Sequence, residues 1–398
     1  MPALSLVERY LELGLGLGRH LDGLVDAYYG SPELRARVDA APLEPPAAHA
    51  ENARRLVAEL DGGGGEAALD ATRRRWLRAQ LVGLETTARK LAGEHIRYVD
   101  EVERCYGVRP SPVDESELES AHRRLDEVMP GTGALRERYI AWRESQAVPV
   151  EQLDAAVRSL AEDFRERTQR LFGLPEGEQV DWQLVTDRPW AGFNYYLGGL
   201  CSRVAINTDL PVLSPSLGHL VAHEAYPGHH TEHTRKEAGL VRRRGHLEET
   251  IFLVGTPQCL LAEGLADLGI EVLLGPEPEP VVEAHLRPLG IPFDAEVVRT
   301  ARAAGEALSA VRGNAAWRLH QMGEPVEDVI GYLERWSLLP RPRAEKAVEF
   351  LTDPTWRAYI SCYVEGLPLC RSFVGGDPER FERLLTEQLV PEDLAVAA

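Results

Sequence analysis

Cysteine is scarce in this 398-residue chain, and the spacing of its few cysteines argues against a disulfide-built protein. There are five of them, an odd number, and no two form a C-x-x-C pair. Such usage is typical of reduced thiols in the cytosol rather than of a disulfide framework. We therefore expect most of these thiols to be small, buried side chains.

Basic residues and long apolar runs are also in short supply. The chain has 44 lysines and arginines against 63 acidic residues, a formal charge of −19, so its surface should repel nucleic acid and anionic lipid. No apolar run approaches the roughly 18 to 20 residues that span a bilayer, and Glu8 and Arg9 interrupt any signal-peptide core. The sequence predicts a cytoplasmic protein without nucleic-acid or membrane partners, and it indicates no oligomeric state.

Helical periodicity dominates what is present. Leucines recur near helical spacing in charged segments of the first half, between short breaks such as Gly62 to Gly65. Aromatic and alternating residues from Asp181 to Leu210 predict a small β-sheet, after which helical patterns return. We predict a mainly α, multi-helix fold with an N-terminal helical region over 1–180 and a metal-binding catalytic region over 181–398, forming one continuous domain.

The run His223-Glu224-Ala225-Tyr226-Pro227-Gly228-His229-His230 is the most informative stretch, because it places imidazoles and a carboxylate within eight residues. Neutral imidazoles with a carboxylate form a ligand set that suits zinc. In an H-E-x-x-H hydrolase, the histidines at i and i+4 bind the metal and the glutamate is the general base. Here Pro227 occupies i+4, so only the first half of that motif, His223 and Glu224, is kept.

The second ligand is either His229 or His230. On an unbroken helix, His230 would share the face of His223 about 10.5 Å along the axis, whereas His229 would point about 120° away. A kink or bulge at Pro227-Gly228 changes both answers. The run is similar to that of dipeptidyl peptidase III, which has one extra residue and a glycine just before its second histidine ligand, and this resemblance favours His229.

A third ligand is expected from a downstream segment in which Glu263 and Asp267 share one helix face. Alone, such a pair is typical of a solvated helix face. It resembles, however, the pair of thermolysin-type zinc enzymes, where a glutamate is the third ligand and an aspartate at i+4 fixes the tautomer of a ligand histidine. That resemblance implies Glu263 as a ligand and Asp267 as its supporter.

Other residues of the cluster offer alternatives. His219 shares the predicted face of His223 but precedes the base, so we expect it to pack or hydrogen-bond in the core. His229 and His233 form a second i, i+4 pair with Glu232 between them. A site built on that pair, with His223 outside the ligand set, stays open.

The HEAYPGHH run followed by Glu263-Gly264 resembles the bacterial family named domain of unknown function 885, whose pattern is HExxPGHH and then an EGW-type segment. That family is similar to helical gluzincin-like metallopeptidases, a group that includes carboxypeptidase Taq and the oligopeptidases. The resemblance implies a metallopeptidase-like body with a substrate cleft and a small sheet beside the active-site helix. Leu265 stands where the family has an aromatic residue, so the local pocket is expected to differ.

Two shorter stretches extend the resemblance within Trp182 to Arg371. His320 begins a segment of the family form H-x-x-G that ends in Tyr332, and Tyr363 begins a Y-x-x-G segment. The family's usual aspartate four residues before this histidine is Ala316 here. An aspartate-assisted role for His320 is therefore in doubt.

The resemblance implies zinc (Zn2+)-dependent hydrolysis of a short peptide through a metal-activated water. A developing oxyanion would then need a hydrogen-bond donor at the cleft edge. The implied metal ligands are His223, His229 (or its alternate His230) and Glu263, the base is Glu224, and the oxyanion donors are His320 and Tyr363, with Tyr359 as a substitute.

The sequence also suggests where a peptide substrate would bind, and it leaves two alternative functions open. The extended segment Arg203 to Asn207 is expected to pair with a peptide as an added strand, with Tyr195 and Tyr196 lining the cleft. The same ligands would serve an amidase or deformylase acting on a small non-peptide amide. A non-catalytic metal-binding scaffold would not need Glu224, because a structural zinc site is closed by four protein ligands.

Overall fold

The computed structural model describes residues 4–62, 69–188 and 190–395. Of the predicted break at Gly62 to Gly65, residues 63–65 lie outside this described part. The N-terminal region is largely helical, as its periodicity predicts. Its helices are α1 (Leu6–Gly18), α2 (Pro32–Ala40), α3 (Pro46–Asp61), α4 (Ala71–Leu91), α5 (Tyr98–Tyr106), α6 (Glu115–Val128), α7 (Leu135–Ser145) and α8 (Val150–Leu171).

Five strands form two small sheets in the described residues. The strands are β1 (Val25–Tyr28), β2 (Gln179–Val185), β3 (Gly192–Gly198), β4 (Cys201–Asn207) and β5 (Ile251–Leu253). β2, β4 and β3 form a sheet in that order, with β2 parallel and β3 antiparallel to the central β4. This is the predicted small sheet. The antiparallel pair of β1 and β5 was not predicted, because its strands lie more than 220 residues apart in the chain.

The remaining helices follow the sheet, and several continue into short 3-10 or π-helical turns. They are α9 (Ser214–Glu224), α10 (His229–Lys236), α11 (Pro257–Leu274), α12 (Glu279–Leu286), α13 (Ala295–Gly305), α14 (Val311–Trp317), α15 (Val326–Trp336), α16 (Arg341–Thr352), α17 (Ile360–Val374), α18 (Pro378–Thr386) and α19 (Pro391–Ala395). The prediction of a mainly α fold with a small sheet is confirmed.

Local sequence explains where several helices begin. Ser5 accepts a hydrogen bond from the backbone N–H of Glu8, and the Glu8 carboxylate accepts one from the N–H of Ser5, which is a capping box. Asp70 and Asp294 cap α4 and α13 by accepting bonds from backbone N–H groups of the first turn. These caps satisfy donors that the helices themselves leave unpaired.

α11 is a largely buried helix in the second half of the chain. Leu260, Leu265 and most of its other side chains are buried, so it is apolar almost all round. Glu263 is only 6% exposed on this helix. A carboxylate at such a position is costly unless it has partners. Glu263 is therefore not part of the solvated helix face that its spacing alone would suggest.

α11 and α17 pack with their backbones in contact. A Cβ atom on Gly264 would lie 2.4 Å from the carbonyl oxygen of Gly366, so both positions require glycine. These are the glycines of the E-G and Y-x-x-G segments. The close crossing brings Glu263 on α11 beside Tyr359, the residue that immediately precedes α17.

The N-terminal region contacts the later part of the chain. Ile251 and Leu253 of β5 lie in the same apolar cluster as the side chains of α1 and α4. The predicted boundary near residue 180 stays a prediction. Within the described residues, none of the helices is both long and apolar enough to cross a membrane.

Candidate metal centre

A break in the helix places the histidines of the motif. α9 ends at Glu224 and α10 begins at His229, so the predicted disruption at Pro227-Gly228 is present. A Cβ atom on Gly228 would lie 2.0 Å from the carbonyl oxygen of His223, so only glycine fits. The break turns His229 back toward His223.

Three side chains, His223, His229 and Glu263, bring their donor atoms together at this break. The Nε2 atoms of His223 and His229 lie 3.1 Å apart. Glu263 Oε2 lies 3.4 Å from His223 Nε2, and Glu263 Oε1 lies 3.7 Å from His229 Nε2. A tetrahedral zinc ion with bonds of about 2.0–2.2 Å would separate its ligand atoms by about 3.3–3.6 Å. The three side chains could therefore hold a metal ion of that size.

Hydrogen bonds orient two of these three side chains. His223 Nδ1 lies 2.8 Å from Asp267 Oδ1, which fits an N–H donor there and leaves the Nε2 lone pair facing the other donors. Tyr359 donates to Glu263 Oε1 at 2.6 Å. Glu263 Oε2 is buried without a hydrogen-bond partner among the described residues. An orphaned carboxylate oxygen between two imidazoles fits a bound cation.

Glu224 lies directly beside this group. Its backbone carbonyl accepts a hydrogen bond of 2.6 Å from the side-chain amide of Asn194 on β3, which ties the end of α9 to the sheet. Gly192, also on β3, lies so close that a Cβ atom there would be 3.0 Å from Glu224 Oε1. Burial, reinforced by the charges of Glu263 and Asp267, raises the pKa of Glu224 to about 7.

The two histidines respond differently to the same surroundings. Burial disfavours the charged form of His223, but hydrogen bonds and charges from Asp267 and Glu263 outweigh it and hold its pKa above the ordinary value. Burial lowers the pKa of His229 to about 4. His229 is therefore a neutral imidazole at neutral pH, the form that binds a metal ion.

The structure does not bring His230 to this group. His230 is fully buried, its Nδ1 lies 2.8 Å from Ser202 Oγ, and its Nε2 lies 2.7 Å from Glu178 Oε2. The same Glu178 oxygen accepts a hydrogen bond of 2.8 Å from Tyr226. Both nitrogens of His230 are thus engaged on the far side of the break, where they fasten the motif to β4 and to the residue before β2.

His219 and His233 are also placed differently from the predictions for them. His219 is exposed rather than in the core, and its Nε2 lies 3.2 Å from Asp267 Oδ1. With His223 and Asp267 it forms a second group that could hold a cation. His233 instead stacks on Tyr196, with ring centroids 4.8 Å apart.

The two predicted oxyanion donors occupy different places. His320 Nε2 lies 2.6 Å from the backbone carbonyl of Leu351, and its ring packs on Tyr98 at 5.4 Å. Among the described residues, none of the three converging donors contacts it. Tyr363 lies 5.4 Å from Tyr359 between ring centroids, and loss of hydration together with the charge of Glu263 raises its pKa.

The predicted peptide-pairing strand is wrong. β4, the segment Arg203 to Asn207 with two further residues, is the central strand and pairs with β2 and β3 along its two edges. β2 and β3 are the two edge strands, and β3 is the one that runs past Glu224. Tyr196 does not line a cleft, because its side chain is 4% exposed and hydrogen-bonded to Glu237. Tyr195, by contrast, packs with Phe193 in a partly exposed aromatic group. Strand order is a tertiary property that alternation in the sequence does not reveal.

Sequence reasoning missed Asp26. Burial, and after it the negative charges of Glu263 and Glu224, raise the pKa of this aspartate of β1 to about 7, although it lies roughly 200 residues or more before them. The only signal in the sequence is a single acidic residue within the otherwise apolar and aromatic stretch from Leu24 to Tyr29.

Comparison with known proteins bears on the fold. The crystal structure of a predicted lipoprotein from Colwellia psychrerythraea matches with a TM-score of 0.52 and 16% identity, over 87% of this chain and 65% of that one. The chain thus spans slightly less than two thirds of the length of that protein. This likeness shows a shared fold and nothing further.

Two other solved structures match less closely. A predicted lipoprotein of unknown function from Shewanella oneidensis has a TM-score of 0.46 and 13% identity, over 98% of this chain and 72% of that one. An M32 carboxypeptidase from Deinococcus radiodurans R1 has a TM-score of 0.41 and 12% identity, over 99% of this chain and 93% of that one. Neither likeness is strong enough to bear on function.

No protein-family profile matches the chain, and no curated protein matches it either. The resemblance to the domain of unknown function 885 therefore stays a prediction from the motifs.

Proposed function

We propose that this protein is a zinc-dependent hydrolase that cleaves an amide bond of a short peptide. The observation that carries the proposal is the convergence of His223, His229 and Glu263. Their two Nε2 atoms lie 3.1 Å apart, and each Nε2 has one of the two Glu263 carboxylate oxygens at 3.4 or 3.7 Å. Metal binding would turn both Nε2 lone pairs and the carboxylate toward one point, and a cation at that point would offset the repulsion among them. Nitrogen and oxygen donors at this spacing suit zinc.

The first group of donors fits an active site better than the second. His223, His229 and Glu263 are 8–13% exposed in their side chains, whereas His219 is 48% exposed. Only the first group leaves Asp267 to accept the outer N–H of His223, the usual arrangement around a catalytic zinc.

Each side chain of the centre then has a chemical role. A bound zinc ion would lower the pKa of its water and polarise the scissile carbonyl. Glu224, adjacent to the first ligand, accepts the proton of the attacking water and returns it to the leaving amine. We assign the oxyanion donor to Tyr363, whose ring lies 5.4 Å from that of Tyr359, because Tyr359 itself already donates to Glu263.

The substrate peptide would pair with β3 rather than with β4. β3 is one of the two edge strands of its sheet, and its first residue, Gly192, lies beside the Glu224 carboxylate. An extended peptide added along this edge would gain backbone hydrogen bonds and present its amide bond to the base. A non-catalytic scaffold would have no use for a buried carboxylate next to the metal ligands.

Metal content is the first test. Protein purified without a histidine tag is expected to contain about one zinc ion per chain by mass spectrometry. His223→Ala and Glu263→Ala should lose it, and His219→Ala should retain it. Wild-type protein that stays free of zinc after zinc is supplied would overturn the proposal. Loss of zinc in His219→Ala and His223→Ala, but not in Glu263→Ala, would move the site to the second group.

Turnover is the second test. Zinc-loaded Glu224→Gln should keep its metal and lose roughly a hundredfold or more of its activity on a peptide library, because only the base is removed. Glu127→Gln, which changes an exposed glutamate of α6, is the matched control and should leave turnover unchanged. Equal turnover by wild type and Glu224→Gln would refute the assignment of the base.

A further inference from the structure

Asp26 is an acidic side chain to which the proposed function gives no role. β1 and β5 pair with a register shift between Val25 and Ala27, so Asp26 sits in a β-bulge. Bulges are a common way of re-aiming one side chain out of the regular alternation of a strand. Ala27 is buried in an apolar cluster, whereas Asp26 is only partly buried and thus within reach of a ligand.

The electrostatic surroundings of Asp26 are those of the metal centre. Burial, together with the charges of Glu263 and Glu224, raises the pKa of Asp26 to about 7. The charge of Asp26 in turn contributes to the raised pKa of Cys259, which lies one helical turn before Glu263 on α11. Asp26 is therefore a further carboxylate within electrostatic range of this site, next to Ala27, which pairs with Phe252 of β5.

The Asp26 carboxylate has no partner of its own among the described residues. Its side chain makes no hydrogen bond and no ion pair with them. Asp267, by contrast, lies within hydrogen-bond distance of two histidine nitrogens, and Glu263 accepts a hydrogen bond from Tyr359. A carboxylate that is partly removed from water without a compensating donor is costly to keep charged. A cation that arrives with the substrate would supply the missing donor.

His233 is a second polar side chain near Asp26 that has no hydrogen-bond partner among the described residues. His233 is 9% exposed, and among the described residues its ring nitrogens make no hydrogen bond. Its ring lies 6.5 Å from that of His229 and 5.3 Å from that of Phe252, the residue that pairs with Ala27 next to Asp26. Burial lowers the pKa of His233 to about 3, so its imidazole is neutral and has an acceptor nitrogen.

We propose that Asp26, assisted by His233, binds an ammonium group of the substrate beside the metal centre. This inference rests on the proposed function and names the substrate class more closely: peptides with a free amino terminus or a lysine side chain next to the cleaved bond. An ammonium group has three N–H donors, so it can serve the carboxylate and the imidazole together. Its charge also favours the ionised form of Asp26.

Binding to a zinc-loaded Glu224→Gln background tests the inference without turnover. Three matched peptides would be titrated by calorimetry: one with a free amino terminus, one acetylated, and one acetylated with a single lysine. A charge-assisted hydrogen bond predicts that an ammonium-bearing peptide binds roughly 10- to 100-fold more tightly than the neutral one. Adding Asp26→Asn should abolish that preference while zinc content is retained. The peptide that shows the preference identifies the source of the ammonium group.

Asp22→Asn is the matched control, because it removes the same charge from an exposed turn just before β1. It should leave the preference intact. Equal binding of all three peptides to the Glu224→Gln protein would overturn the inference, as would a preference that survives Asp26→Asn.

Hydrolysis rates of the wild-type protein provide a further test, which does not depend on whether a variant folds. Hydrolysis of all three peptides with equal kcat/KM would refute the ammonium site alone. The absence of any peptide hydrolysis by the zinc-loaded wild type would refute the proposed function and this inference together.

Discussion

Gly264→Ala probes the contact between α11 and α17 that holds the centre together. The added Cβ atom would lie 2.4 Å from the Gly366 oxygen and 2.7 Å from Cys370 Sγ, well inside the ordinary contact range of 3.4–4 Å. The carbonyl cannot rotate away, so we take the upper end of the cost of overpacking, about 3 kcal/mol. Alanine returns about 1 kcal/mol of helix propensity. The expected net loss is about 2 kcal/mol.

Urea unfolding of the metal-free protein, followed by circular dichroism, measures this loss. Gly331→Ala is the matched control, because that glycine is exposed on α15 and a Cβ atom there would meet nothing within 4 Å. It should gain up to about 1 kcal/mol of stability. If Gly264→Ala is as stable as wild type while Gly331→Ala is stabilised, α11 and α17 do not pack as described and the reasoning fails.

Three further predictions concern the centre and its surroundings. Asp267→Asn should weaken zinc binding roughly 10- to 100-fold, because it replaces the charged acceptor of the His223 N–H by a neutral amide; unchanged affinity in a chelator competition would contradict this. Tyr359→Phe should weaken it by a smaller factor, since the phenol holds only one oxygen of Glu263; a loss larger than that of Asp267→Asn would reverse this ranking. His233 has a folded-state pKa of about 3 against about 6.5 when unfolded, so the unfolded chain binds more protons and stability falls as pH drops from 6.5 toward 3. His233→Phe should flatten that fall by up to about 1.4 kcal/mol per pH unit in unfolding experiments, and an equally steep fall would show that other groups cause it.

The fold class followed from the sequence because helical periodicity is a local property. Leucines near helical spacing predicted the helical body, and the alternation between Asp181 and Leu210 predicted the small sheet. Strand order was not predictable in this way. Whether β3 or β4 lies at the edge depends on which strands meet in space, so the expected peptide-pairing strand was the wrong one.

The candidate ligands show the same division. His223 and Glu224 are adjacent within the histidine run, so the sequence alone indicated the chemistry of a metal site. The spacing of Glu263 and Asp267, one helical turn apart, gained this meaning only together with that run. The choice between His229 and His230 depended on the backbone at Gly228, where a side chain has no room. Ideal helix geometry alone could not anticipate that turn.

What the sequence determined by itself is the set of donor groups and the helices that carry them, because both depend on residues close together in the chain. Tertiary structure decided which donors meet. It placed His230 against Glu178, His320 against Leu351, and Asp26 within electrostatic range of Glu263. These contacts join residues that lie between 31 and more than 200 positions apart. Packing of buried helices and pairing of distant strands produce them, and neither leaves a local pattern.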